Sequence, residues 1–332
     1  GLGDVYKRQR GYCRRSRFIE PHRREINPIV DIDASGPQRM GDPRAGLPDA
    51  VDLAGRAPAP LLVASDIDGT FVTSAERVTP RLTSAIRRMV RAGTSLVLAT
   101  GRPARWTLPV IRQLPLRPLC VCTNGSVIFD SAREEVLTAH EIPPEHVADM
   151  VRRVMDGVAA DPRGIHVGFG VERVGTDLYS EKDQFLIEPN FDHVWESQGF
   201  SLVSTEELMA EPAVKLLLRS PEVTSEELYQ LVAPMIPVDK GHVTYSFSGG
   251  LLEIAAPGVN KAGGLAEVAD LLGVDAGEIV AFGDMPNDTE MLEWARMGVA
   301  MGNAHPMLLG VAKAVTTSND EDGVARVIDA WF

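Results

Sequence analysis

Three cysteines in 332 residues, Cys13, Cys120 and Cys122, are too few to staple a fold and lack metal-site spacing. The seven histidines are scattered, with no H-x-H pattern, so a zinc site is not expected. Also missing is any apolar stretch near the roughly 18 residues that span a bilayer, so no membrane partner is expected. Nor is there an excess of positive charge, since the formal net charge is −13. Residues 1–58 hold 11 Lys/Arg against 8 Asp/Glu, a balance of +3, which leaves −16 on the remainder. An acidic body argues against nucleic acid and suits a divalent cation. Sparse cysteine and the lack of an apolar segment after Arg14-Arg15 or Arg23-Arg24 point to a reducing, cytoplasmic setting. Nothing in the chain fixes an oligomeric state.

What is present fits a globular chain with two cores. Hydrophobic residues make up 44% and charged residues 24%, ordinary for a globular chain long enough for two domains. Residues 1–58 are the exception, being rich in Arg, Pro and Gly without a sustained period, so this segment is expected to be disordered. The opening Gly1–Gln9 also reads as translated sequencing-adaptor sequence, with Met40 as an alternative start, so the segment is expected to be partly non-native.

From Leu61 the chain alternates strand and helix. Leu61–Ala64, Ser95–Ala99 and Leu119–Cys122 read as buried strands. Thr79 caps a helix that has Pro80 at its first position and Gly93 after its end. The same grammar returns near the C-terminus. Lys261 opens a helix, Ile279–Phe282 is a strand, Met291, Leu292 and Ala295 mark a further helix, and Val299–Met301 another strand. Asp320–Gly323 reads as the start of a last helix that buries Val324, Val327, Ile328 and Trp331. Between about 142 and 257 the pattern becomes α+β, with strands near 165–170, 214–219, 243–247 and 251–255. The expected organisation is a discontinuous first unit, 59–141 plus 258–332, carrying an insert at 142–257.

The strand ends hold the chemistry. Asp66-Ile67-Asp68-Gly69-Thr70 follows the first strand, Thr100-Gly101-Arg102 the second, and Gly283-Asp284-Met285-Pro286-Asn287-Asp288 follows Ile279–Phe282. A lone D-x-D serves as often to cap a turn, and an EF-hand would need glycine where Phe71 stands. Three polar, glycine-containing turns at the ends of parallel strands, however, converge on one sheet edge, where ligands bind in open α/β sheets. Paired carboxylates there are costly unless a cation or a proton relieves them.

Leu62–Thr70, Thr100-Gly101-Arg102, Lys261 and Gly283–Asp288 together resemble the four motifs of haloacid dehalogenase (HAD)-like phosphatases. The large insert between the second and third motifs looks like the Cof-type subgroup with a type IIB cap. The resemblance covers about 60–332 and implies an α/β fold, a Rossmann-like parallel-sheet core under an α+β cap. It implies Asp66 as nucleophile and Asp68 as general acid and then base. Thr100 and the Gly101 amide would hold phosphoryl oxygens, and Lys261 would neutralise charge between nucleophile and phosphate. Mg²⁺ would be bound by Asp66, Asp284 and the Asp68 carbonyl. Asn287 would orient the phosphate or a metal-bound water, with Asp288 supporting metal or lysine from behind. The implied activity is Mg²⁺-dependent hydrolysis of a small phosphorylated metabolite, such as a sugar phosphate or phosphorylated cofactor, through an aspartyl phosphate. A phosphomutase on the same scaffold is the alternative.

Arg102 and Asn124, on core loops, are candidates for the substrate edge of the site. Glu181, Lys182, Asp183, His166 and Lys215 are weaker candidates in the insert, since any one charge there is more often a solvated surface group. The insert is expected to close over the ester and to contact its leaving group.

Overall fold

The computed structural model describes residues 46–175, 184–192 and 199–332; Glu181, Lys182 and Asp183 lie outside them. Two sheets organise the described residues. The strands of the first are β1 (Leu62–Ser65), β2 (Ser95–Ala99), β3 (Leu119–Cys122), β4 (Val127–Asp130) and β5 (Glu135–Ala139). The second takes β6 (Gly168–Glu172), β7 (Phe185–Ile187), β8 (Ser201–Leu202), β9 (Lys215–Arg219), β10 (His242–Thr244) and β11 (Leu251–Ala255). The chain then returns to the first with β12 (Ile279–Gly283), β13 (Met297–Ala300) and β14 (Ala314–Val315).

In the first sheet the order is β14-β13-β12-β1-β2-β3-β4-β5. Pairing is parallel from β14 to β3 and antiparallel for β3/β4 and β4/β5. Both faces of the parallel part are covered, which is why β1 reads as an unbroken apolar run. Val63 packs among Ile86 and Met89 of the helix Pro80–Arg91, whereas Leu62 and Ala64 pack among Leu265 and Val268 of the helix Lys261–Leu272. The antiparallel pair β4/β5 is absent from the sequence reading. β5 is a largely exposed edge strand, so no apolar alternation advertises it.

Central placement of β1 positions the site. Its last residue, Ser65, pairs with Leu98 of β2 and Phe282 of β12. Asp66, Thr100 and Asp284 therefore leave the sheet side by side, and the Asp66 amide donates to the Phe282 carbonyl at 3.0 Å.

The second sheet runs β10-β11-β9-β6-β7-β8, with the helices Pro144–Ala159 and Ser225–Val232 packed in its apolar layer through residues such as Met150 and Leu228.

The expected irregularity of 1–58 does not hold for its described end. Asp49 caps a short helix, Ala50–Ala54, whose two terminal alanines are buried in the core, and Asp49 bridges to Val315. The Trp331 Nε1–H donates to the Ala57 carbonyl at 3.2 Å. Five residues cannot display a helical period, so only the tertiary contacts define this element.

Candidate active site

The turn after β1 is built around Gly69, at φ +79°. A Cβ there would stand 2.2 Å from Asp284 Oδ2, so the absence of a side chain is what allows the β1 and β12 turns to touch. Thr70 Oγ1 donates to Asp284 Oδ1 at 3.0 Å, and Asn303 Nδ2 donates to the Gly69 carbonyl at 2.8 Å and to Asp284 Oδ2 at 3.3 Å. Neither Thr70 nor Asn303 was singled out in the sequence reading; Thr70 stood inside the first motif, whereas Asn303 has no local pattern.

Lys261 is the centre of the site. Its helix is capped by Asn260, whose side chain accepts from Gly263. Its ammonium donates to Asp66 Oδ1 at 2.7 Å and to Asp288 Oδ1 at 2.6 Å, with all three groups buried. The other Asp288 oxygen accepts from the amides of Asp284 and Met285, each at 3.0 Å. Asp288 thus holds the lysine and the β12 turn together. Ligand oxygens of Asp66, Asp284 and Asp288 lie within 4.8 Å of one another.

Three carboxylates around one ammonium leave an excess of buried negative charge, and the acidities reflect it. Burial pushes the Asp66 carboxyl from 3.8 to about 7, against the pull of Lys261 and with a push from Asp288 and Asp68. Burial, Asp66 and Asp288 also push Asp284 well above the usual carboxylate range. Burial works against the Lys261 charge, but Asp288 and Asp66 outweigh it and hold the group above its ordinary value. Hard oxygen donors short of positive charge fit a divalent cation.

Asp68, although only two residues from Asp66, has its own cation. Arg102 Nε donates to Asp68 Oδ2 at 2.7 Å and Nη2 to Oδ1 at 2.5 Å. Arg102, expected at the substrate edge, is buried and serves as the partner of Asp68. The loop it belongs to is closely held. Thr100 is buried, its hydroxyl oxygen accepts from the Arg102 amide at 3.0 Å, and its amide donates to the Val121 carbonyl at 2.8 Å.

Asn124 sits in a strained turn. Thr123, Asn124 and Gly125 all have positive φ, at 52°, 56° and 101°, a conformation that a β-branched residue such as Thr123 rarely adopts. Asn124 Oδ1 accepts from Asn287 Nδ2 at 3.0 Å, and Asn124 Nδ2 donates to Glu253 Oε2 at 2.5 Å. Asn287 Oδ1 is buried without a hydrogen-bond partner among the described residues.

The second sheet also reaches this region. Lys215 is buried, donates to the Gly101 carbonyl at 2.7 Å, and lies 3.4 Å from Glu253 and 3.6 Å from Glu172. Lys215 is therefore not the solvated surface group that charge alone implies. His166 is, with its side chain exposed and paired to Glu222. Glu253 and Glu172 were missed because single acids within apolar strands carry no motif.

Residues 63–328 match the family model described as haloacid dehalogenase-like hydrolase. The chain is 28% identical over 274 residues to the 5-amino-6-(5-phospho-D-ribitylamino)uracil phosphatase YitU of Bacillus subtilis, covering 82% of this chain and 98% of that one. It is 29% identical to the HMP-PP phosphatase of Serratia proteamaculans, covering 82% and 95%. Among solved structures, the HAD subclass IIB sugar phosphatase BT4131 is similar in fold, with a TM-score of 0.64 at 24% identity over 81% of this chain and 97% of that one.

Proposed function

The chain belongs to the haloacid dehalogenase-like hydrolase family, and we propose that it hydrolyses small phosphate monoesters with the help of Mg²⁺. The observation that carries this is the Lys261 ammonium bridging Asp66 and Asp288, beside Asp284, at the ends of β1 and β12. Relatives named as phosphatases, including one acting on a phosphorylated ribitylamino-uracil, support the same reading.

In this reading Asp66, Asp284 and the Asp68 carbonyl would hold Mg²⁺, which would supply charge neutralisation at the phosphoryl group. The Asp66 carboxylate attacks phosphorus, the ester P–O bond breaks, and Asp68 gives its proton to the departing alkoxide. Water then attacks the aspartyl phosphate, Asp68 takes its proton, and Asp66 and inorganic phosphate separate. Thr100 and the Gly101 amide bind phosphoryl oxygens, while Lys261 offsets negative charge beside the nucleophile. The unpartnered Asn287 Oδ1 is an acceptor, which suits a metal-bound water better than a phosphate oxygen. Asp288 acts from behind, by holding Lys261.

We take about 142–257 as a cap over a core of 59–141 and 258–332. Free, buried thiols at Cys120 and Cys122 agree with a cytoplasmic setting. The test is phosphate release from a panel of sugar phosphates, nucleotides, flavin mononucleotide and pyridoxal phosphate, with Mg²⁺ or with excess chelator. Release only with metal supports the reading, and undiminished release in chelator overturns it. An isomeric sugar phosphate with no free phosphate would mark a mutase instead.

A further inference from the structure

A line of three side chains joins the second sheet to the site: Glu253 of β11, Asn124 of the strained turn, and Asn287 after β12. The contacts are 2.5 Å and 3.0 Å, and all three residues are buried. A carboxylate can only accept hydrogen bonds, whereas an amide offers a donor on one arm and an acceptor on the other. Glu253 therefore dictates the order of the whole line. Facing a carboxylate, Asn124 must present its NH₂, which turns its oxygen to Asn287. Asn287 must then spend its NH₂ on Asn124, which leaves its own oxygen for the site.

We propose that Glu253 is a positioning residue for phosphoryl transfer: through Asn124 it fixes the side-chain amide of Asn287 so that an acceptor, not a donor, faces the reacting centre. This rests on the phosphatase reading above. Two further observations support it. Glu253 is anchored on its other oxygen, where Ser246 Oγ donates at 3.3 Å and the Lys215 ammonium lies 3.4 Å away. Burial disfavours the Lys215 charge, but Glu253 and Glu172 outweigh it and keep the group protonated. The same ammonium donates to the Gly101 carbonyl, so β9 and β11 both reach the phosphoryl side of the site rather than stopping at the leaving group. The backbone strain at Thr123 and Asn124 fits a turn held for the position of one side chain.

An inversion of the relay tests this. In E253Q the amide oxygen should turn to the stronger charge, Lys215, and present its NH₂ to Asn124. Asn124 then turns its oxygen to residue 253 and its NH₂ to Asn287, which rotates in turn and puts a donor into the site. The double variant N124D/E253Q restores the order, because an aspartate at 124 accepts from both neighbours and the total charge equals that of the wild type. Acetyl phosphate is the substrate, since its leaving group is too small to engage the second sheet. Read by kcat/KM and by the Mg²⁺ concentration for half-activation, E253Q should lose about ten-fold or more, and the double variant should recover most of the loss. Melting temperatures of both variants separate a folding defect from a polarity defect. Wild-type turnover of acetyl phosphate in E253Q overturns the inference, and so does a loss in a folded E253Q that N124D does not repair. A wild-type enzyme that releases no phosphate from any ester would instead overturn the activity itself.

Discussion

Arg102 grips Asp68 with two nitrogens, Nε on Oδ2 and Nη2 on Oδ1, and of the two side chains it is the arginine that is buried. The guanidinium also bonds the Trp106 carbonyl at 3.3 Å and lies 3.5 Å from Glu76. Asp68 is therefore aimed by a cation that is itself fixed by the core, an arrangement that sets the direction in which its carboxyl group points.

D68N should slow turnover by about 10²–10⁴-fold, most for alkyl phosphates, whose leaving oxygen needs the proton. If Arg102 acts through Asp68, R102M should show the same selectivity with a smaller loss, up to about 100-fold. Rates on an aryl and an alkyl phosphate decide it. An equal loss on both substrates in R102M would mean that Arg102 serves the phosphate instead.

The buried cluster predicts opposite stability effects for its two signs. D66N should abolish turnover and the phosphoenzyme, yet it removes one of three carboxylates and leaves Lys261 its bond to Asp288. Its melting temperature in chelator should match or exceed that of the wild type. K261M leaves three buried carboxylates with no ammonium, a change that typically costs about 3–5 kcal/mol. Equal destabilisation by the two variants in thermal melts would contradict the charge balance described here.

The raised acidity constant of Asp66 gives a pH dependence of definite sign. With its carboxyl moved from 3.8 to about 7, the folded metal-free protein holds more protons than the unfolded chain between these values. Its stability should therefore fall as pH rises across that window, and the shift of Asp284 acts in the same direction. Mg²⁺ needs both carboxylates ionised, so its stabilising effect should grow with pH. Melting temperatures with metal and with chelator, from about pH 5 to about pH 7.5, check this. A metal-induced increment that does not change with pH would refute it.

The parallel part of the first sheet was legible because both its faces are covered, so that Leu61–Ala64, Ser95–Ala99 and Ile279–Phe282 each read as apolar runs within a residue of their observed ends. The convergence of Asp66, Thr100 and Asp284 followed from parallel topology, which carries strand ends to one edge. Residues set by tertiary context were not legible. Arg102 is one, since the sequence does not show that its guanidinium turns to Asp68. Glu253 lies on a strand whose other residues are apolar, and only the seating of the second sheet on the Gly101 and Asn124 loops reveals its partners and those of Lys215.

The N-terminal segment gives the last test, because composition and structure disagree about it. Arg, Pro and Gly content implies that residues 1–58 can be removed without effect. Yet Asp49 pairs with Arg326 at 3.2 Å, the Pro58 carbonyl accepts from Arg296 at 2.9 Å, and Ala50 and Ala54 fill the layer beside Val327 and Ile328. These contacts tie 49–58 to the last helix and to the turn before β13, on elements distinct from the Asp66 and Asp284 turns. Deleting 1–45 leaves every one of them in place, whereas deleting 1–58 removes them all and opens an apolar surface beside Trp331. The longer deletion should lower the melting temperature by a few degrees or more, with kcat on a small ester nearly unchanged. Identical melting temperatures for the two truncations would show that the short helix adds nothing to the core.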